Sequence, residues 1–227
     1  MAWDRVWEQV FTSQAWGKYP GEDLIRFVAR NFYQAPARES VRILEVGSGT
    51  GANLWFIARE GFAAFGIEGS QSAAELARRR LAAECPSWNA APRDGRIEVG
   101  DMLSLPWPEA SFDATIDSEA VYCNTYEESE RIYREMHRVT KPGGRLFVRT
   151  FATGSWGDGT GRQVGPRAYI AEQGPLANKG HSRFTTLDEL PRLLGPWHII
   201  EMNLITRSVD HRQHEIREWI VEAQRVS

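Results

Sequence analysis

Three glycines in the run Glu45-Val46-Gly47-Ser48-Gly49-Thr50-Gly51 are the residues best placed to shape a ligand site in this chain. Ahead of them Val41–Val46 reads as a short buried strand, and behind them Ala52–Glu60 reads as a helix. Between a strand and a helix, glycines let the backbone turn tightly and let a ligand approach the helix N-terminus. Ala52 completes a GxGxx(G/A) spacing, and Glu68 follows roughly 20 residues after the first glycine, where a carboxylate can accept hydrogen bonds from ribose hydroxyls. The pair suits an adenosine ligand in general and does not by itself select a nicotinamide.

The elements that must position these residues alternate. Pro20–Tyr33 sets Leu24, Ile25, Phe27, Val28 and Phe32 at helical spacing behind a proline and two acids, which predicts an amphipathic helix. Phe62–Ile67 predicts a strand, Gln71–Glu84 a helix, 96–99 a strand, Phe112–Asp117 a strand, Tyr126–Thr140 a helix and Gly144–Phe151 a strand. Such alternation predicts a parallel sheet covered on both faces. Gly154, Gly157, Gly159, Gly161 and Gly165 then punctuate what reads as a long mobile loop. A short helix over Leu187–Leu194 is followed by Trp197–Val209 and Ile216–Val226, read as a closing antiparallel pair, although Ile216, Trp219, Ile220 and Ala223 also fit a helix.

With Gly100-Asp101-Met102, Phe112-Asp113-Ala114-Thr115-Ile116-Asp117 and Lys141-Pro142-Gly143-Gly144-Arg145-Leu146 added to the glycine run and Glu68, residues 41–151 resemble the class I S-adenosylmethionine-dependent methyltransferases. The small-molecule branch with quinone-biosynthesis-type enzymes is the nearest in pattern. The resemblance implies an α/β, Rossmann-like, doubly wound, mostly parallel seven-stranded sheet with an antiparallel last strand and helices on both faces. It also implies that Gly47, Gly49 and Gly51 contact the methionine part of S-adenosylmethionine. Glu68, with Gly69 beside it, would hold the ribose, Asp101 the adenine amino group with Met102 against the ring, and Asp117 would border the sulfonium.

The chemistry of the residues agrees with a cationic ligand. A loop entered by Glu45 suits a sulfonium and an ammonium better than a pyrophosphate. A sulfonium favours aromatic faces, for which Trp16, Tyr19, Trp55 and Tyr122 are candidates, although an aromatic beside a helix or strand is more often plain core. In-line transfer of a methyl group is chiefly a matter of positioning. Should a hydroxyl acceptor need a base, Asp117, Glu119 and His181 are the candidate catalytic residues. Trp16-Gly17-Lys18-Tyr19-Pro20 reads as part of a lid that brings Tyr19 to the methionine end.

Absences narrow the class. Asp117-Ser118-Glu119-Ala120-Val121-Tyr122 stands where amino-methylating enzymes carry an Asn/Asp-Pro-Pro-aromatic motif, and Cys85-Pro86 is in the wrong order and place for a cytosine C5 nucleophile. Cys123 reads as an inert thiol, and no Cys or His spacing suggests a metal. A formal charge of −3 argues against nucleic acid as substrate. Two cysteines, no signal-like N-terminus and no long apolar run favour a cytoplasmic protein off the membrane.

The 227 residues therefore read as a single domain, 1–227. Its parts are an N-terminal helical lid at 1–40, a cofactor core at 41–151, a mobile loop at 152–185, and a helix with closing strands at 186–227. The expected activity is methyl transfer from S-adenosylmethionine to an oxygen or nitrogen of a small polar metabolite. A catalytically silent cofactor-binding module and an NAD-dependent oxidoreductase are the alternatives.

Overall fold

The structure is a computed structural model that describes residues 4–89 and 96–226. The first three residues of the expected lid therefore lie outside the described part. Two short helices lead, α1 (Val6–Ser13) and α2 (Glu22–Phe32). The alternating section then runs β1 (Arg42–Val46), α3 (Ala52–Arg59), β2 (Ala63–Glu68), α4 (Gln71–Glu84), α5 (Pro86–Asn89), β3 (Ile97–Val99), β4 (Phe112–Ser118), α6 (Tyr126–Val139) and β5 (Thr140–Phe151). After it come β6 (Arg162–Gly165), β7 (Ala168–Ile170), β8 (His181–Arg183), α7 (Leu190–Leu194), β9 (His198–Val209) and β10 (His214–Gln224).

The main sheet has seven strands in the order β3-β2-β1-β4-β5-β10-β9. The first five run parallel, while β10 lies antiparallel to both β5 and β9. This is the doubly wound sheet with an antiparallel last strand that the sequence predicts. Strand alternation divides the core, since successive side chains point to opposite faces. Ile43 joins Leu24, Phe27, Val28, Leu54 and Ala77 on the face covered by α2, α3 and α4. Leu44 and Val46 join Ile132, Tyr133, Met136 and Leu193 under α6 and α7. Glu45 therefore points to the same side as Ile43, toward Asn53 on α3, a buried carboxyl whose desolvation is costly.

The ends of the helices explain where the chain turns. Thr125 and Glu128 form a reciprocal capping box that starts α6. Ser70 accepts the Ala73 amide at 3.1 Å and starts α4 directly after β2. The β1–α3 turn keeps Gly47, Gly49 and Gly51 at φ +63°, +50° and +81°, a region that side chains with a Cβ avoid.

Residues 152–185 depart from the expected plain loop. β6, β7 and β8 form a separate antiparallel three-stranded sheet, and Ala171, Leu176 and Phe184 pack with Tyr122 and Phe151 into a third small core. The apolar residues of this unit are spread among glycines and charges, so no period betrays it in the sequence. Ile216–Val226 takes the extended reading, because β10 pairs with both neighbours and fills the gap between β5 and β9.

Candidate active site

A cavity of about 290 Å³ opens at the carboxyl ends of β1, β4 and β5. In open parallel sheets this is the crevice where strand order reverses and ligands bind. Its floor is the glycine turn. The Gly47 and Ser48 amides donate to Ile67 O at 2.8 and 3.2 Å, and Gly49 N donates to Glu68 Oε2 at 2.7 Å. Glu68 Oε1 accepts the Ser70 amide at 2.8 Å, so one carboxylate braces both the turn and the start of α4. Burial raises the Glu68 pKa, partly offset by the amides of Ser70, Gly49 and Gly69.

Glu45 supplies the strongest electrostatic feature. It is 3% exposed, its Oε1 accepts Asn53 Nδ2 at 2.6 Å, and its Oε2 has no hydrogen-bond partner. Burial pushes its pKa up to about 8 against the pull of the Asn53 amide, and the charges of Glu68 and Asp117 add to the rise. A buried carboxyl with one unpartnered oxygen on a cavity wall can take a hydrogen bond from a positively charged donor.

Gly47, Gly49, Glu45, Glu68, Met102, Glu119 and Tyr19 all line the cavity, as do Trp16 and Tyr122. Six sequence candidates do not: Gly51, Gly69, Asp101, Asp117, His181 and Trp55. Gly51 packs α3 on α4, and a Cβ there would lie 2.8 Å from Ala77 Cβ. Gly69 is off the cavity wall and contributes its amide to Glu68 instead. Asp117 is fully buried beneath the cavity, with its oxygens accepting Ala120 N, Val121 N and Tyr133 Oη at 3.0, 3.1 and 2.7 Å. Such a carboxylate anchors the turn after β4. His181 sits on β8 away from the cavity, where burial and the Arg183 charge lower its pKa.

Asp101 is also off the cavity lining, and its Oδ1 accepts the Leu103 amide at 3.0 Å, which turns Met102 toward the cavity. Trp55 stands behind Tyr19 at 5.5 Å between ring centroids and carries Arg80 on its face. The Cys123 thiol faces the cavity, and burial pushes its pKa up to about 12, so it is no nucleophile at neutral pH.

The roof comes from the N-terminal segment. Trp7, Phe11 and Trp16 form an aromatic cluster with centroids 5.3 to 5.8 Å apart. Glu8 fastens α1 to the first turn of α4, accepting Ser70 Oγ at 2.6 Å and also the Ser72 hydroxyl. Those two hydroxyls hold the Glu8 carboxyl below its ordinary pKa. From the opposite side Lys179 lies 5.1 Å from the Trp16 ring. Trp7 and Phe11 are spaced four apart on α1, a signal present in the sequence. Arg149, Phe151, Lys179 and Glu218 have no such signal, since they come from segments far apart in the chain.

Sheet order, glycine turn and the acid closing β2 together define a class I, Rossmann-like methyltransferase fold. Residues 43–144 match the family model described as a methyltransferase domain. It is 36% identical over 112 residues to a demethylmenaquinone methyltransferase of Tropheryma whipplei, covering 48% of this chain and 41% of that protein. It is 26% identical over 132 residues to norajmaline N-methyltransferase of Rauvolfia serpentina, covering 58% and 42%. The chain thus spans less than half the length of these relatives. A crystal structure of an S-adenosylmethionine-dependent methyltransferase from Methanosarcina mazei superposes with a TM-score of 0.60 at 23% identity, covering 82% of this chain and 92% of that one. Among the described residues no helix is long and apolar enough to cross a membrane.

Proposed function

We propose that this protein binds S-adenosylmethionine across the glycine turn and transfers its methyl group to an oxygen or nitrogen of a small polar metabolite. The carrying observation is the unpartnered Glu45 Oε2 beside Gly47 and Gly49, which fits the ligand's ammonium. Glu68 keeps lone pairs for ribose hydroxyls, and Met102 offers an apolar side to the adenine. When bound, the cofactor supplies an electrophilic methyl carbon on a positively charged sulfur. The chain's own part is to orient that group, exclude water and hold the acceptor.

Acceptor recognition falls to the far end of the cavity, where Glu119, Arg149 and Lys179 face Tyr122 and Phe151. A catalytically silent module would have little use for this charged and aromatic annex, which favours the enzyme. One named relative acts on a quinone precursor and another on a nitrogen, so kinship leaves the acceptor atom to the annex itself.

The test is binding. S-adenosylhomocysteine at about 100 times its dissociation constant raises stability by about 2.7 kcal/mol, whereas NAD at the same concentration leaves it unchanged. Stabilisation by NAD alone overturns the proposal. The roof is tested by Trp16→Ala, which removes two ring contacts and the Lys179 contact. At about 0.5–1.5 kcal/mol for each aromatic pair, calorimetry is expected to show about tenfold weaker S-adenosylhomocysteine binding. Unaltered affinity removes the lid from the description.

A further inference from the structure

Beyond the glycine turn the cavity is walled by Tyr122, Phe151 and Leu176 and carries two cations, Arg149 and Lys179. Their situations differ. Arg149 is committed to carboxylates: its guanidinium meets Glu218 at 2.8 to 3.0 Å, and its Nε lies 2.9 Å from Glu119 Oε1. Arg207 Nη2 adds a second guanidinium to Glu218 at 3.1 Å, so two arginines balance two carboxylates. Lys179 adds one positive charge to this balanced set.

Among the described residues no carboxylate forms an ion pair with Lys179. Its ammonium meets the face of Trp16 instead, 5.1 Å from the ring centroid, and a ring attracts a cation without carrying net charge. Asp4, a further acid at this end of the cavity, accepts the Val6 amide at 3.0 Å where α1 starts. Burial lowers the Lys179 pKa, opposed by the nearby Glu119 and Cys123, of which the first is held by Arg149 and the second is an uncharged thiol at neutral pH.

The chain presents this ammonium from an ordered turn between β7 and β8. Asn178 N donates to Ala171 O at 3.0 Å and Lys179 N to Leu176 O at 3.1 Å, while Leu176 packs into the small core with Tyr122 and Phe151. Those two rings meet edge to face, 5.1 Å apart. The far end of the cavity thus offers one uncompensated positive charge beside an apolar, aromatic wall.

Resting on the methyltransferase reading of the cavity, we propose that the methyl acceptor is a small carboxylic acid with an apolar body, its carboxylate bound by the Lys179 ammonium and its body lying against Tyr122, Phe151 and Leu176. One negative charge on the acceptor completes the set that the two arginines and two glutamates leave unbalanced. A neutral amide of the same shape covers the wall and leaves the ammonium unpaired. An inorganic anion pairs with the ammonium and leaves the wall uncovered.

Fluorine NMR of the whole protein saturated with S-adenosylhomocysteine tests this, with 4-fluorobenzoate and 4-fluorophenylacetate as probes beside their primary amides. At least one acid is expected to bind about tenfold or more tightly than its amide, because its hydrogen bond to the ammonium is charge-assisted on both sides. Lys179→Met should bring that acid down to the level of its amide, and Lys179→Arg should keep the preference. A lysine with a merely structural role weakens acid and amide together and leaves their ratio in place, which overturns the proposal. Equal binding of acid and amide by the wild-type protein overturns it too, as does binding of neither acid, and these comparisons need no variant to fold. Displacement of the acid by inorganic phosphate at the same concentration marks a bare anion site and overturns the apolar acid. Weaker S-adenosylhomocysteine binding in Lys179→Met with an unchanged acid-to-amide ratio assigns the ammonium to the cofactor's own carboxylate, and the proposal falls. Each of these outcomes arises in a protein that binds S-adenosylhomocysteine. Absence of that binding, measured separately by calorimetry, overturns the methyltransferase reading and the acid with it.

Discussion

S-adenosylhomocysteine should bind more tightly as pH rises from 6 to 8, by up to about tenfold per pH unit, and calorimetry should register release of about one proton. The free protein holds the Glu45 carboxyl at a pKa of about 8 because it is buried, with only the Asn53 amide to favour its charge. An ammonium placed at the orphaned Oε2 favours the ionised form, so below pH 8 the ligand must displace a proton before it gains the ion pair. Above that value nothing is displaced and the gain levels off. Glu45→Gln removes the carboxylate and is expected to flatten the profile at a weaker affinity. A wild-type affinity that ignores pH across this range would detach Glu45 from the ligand.

The same carboxyl sets an opposite trend in the ligand-free protein. Its folded pKa of about 8 lies above the ordinary glutamate value of 4.5, so between those limits the folded chain binds more protons than the unfolded one. The stability this contributes is complete below the unfolded value and is lost as pH rises through 8, at most about 1.4 kcal/mol per unit. Melting temperature without ligand should therefore fall over the interval in which affinity grows. A ligand that neutralises Glu45 reverses the trend, which links the two measurements to one side chain.

Local signals made the cofactor half of this site legible in the sequence. Val41–Val46, the glycine run and Glu68 lie within a single β-turn-α-β unit, so their spacing alone fixes their meeting at one strand end. The acceptor half depends on strand order. Arg149 and Glu218 are neighbours because β10 inserts between β5 and β9, and nothing local to either residue announces that insertion. Asp117 lies buried beneath the cavity and off its lining for a related reason. Strand period gives the side of the sheet, and it cannot reveal that the following turn and Tyr133 consume both carboxylate oxygens. The three strands of 162–183 were hidden because glycines at positive φ, Gly154, Gly157, Gly159 and Gly161, supply tight turns that read as disorder of pattern.

Two glycines of the same turn should fail in different ways when a methyl group is added. A Cβ on Gly47 collides with Ala120 Cβ, between the turn and the segment that carries Glu119. A Cβ on Gly51 meets Ala77 Cβ at 2.8 Å and Ala77 Cα at 3.2 Å, in the packing of α3 on α4 and away from the cavity. Each substitution adds left-handed strain of about 1–2 kcal/mol and overpacking of about 1–3 kcal/mol. Taking about 3 kcal/mol in total, the melting temperature of either variant should fall by about 6–12 °C for a chain of this size. Only at Gly47 does relieving the clash move the floor on which the ligand rests and the carboxyl beside it. Gly47→Ala is therefore expected to lose about 100-fold or more in S-adenosylhomocysteine affinity. Gly51→Ala should keep its affinity within a few-fold while melting early. Equal affinity losses in the two would place Gly51 back at the ligand, where the sequence motif alone had put it.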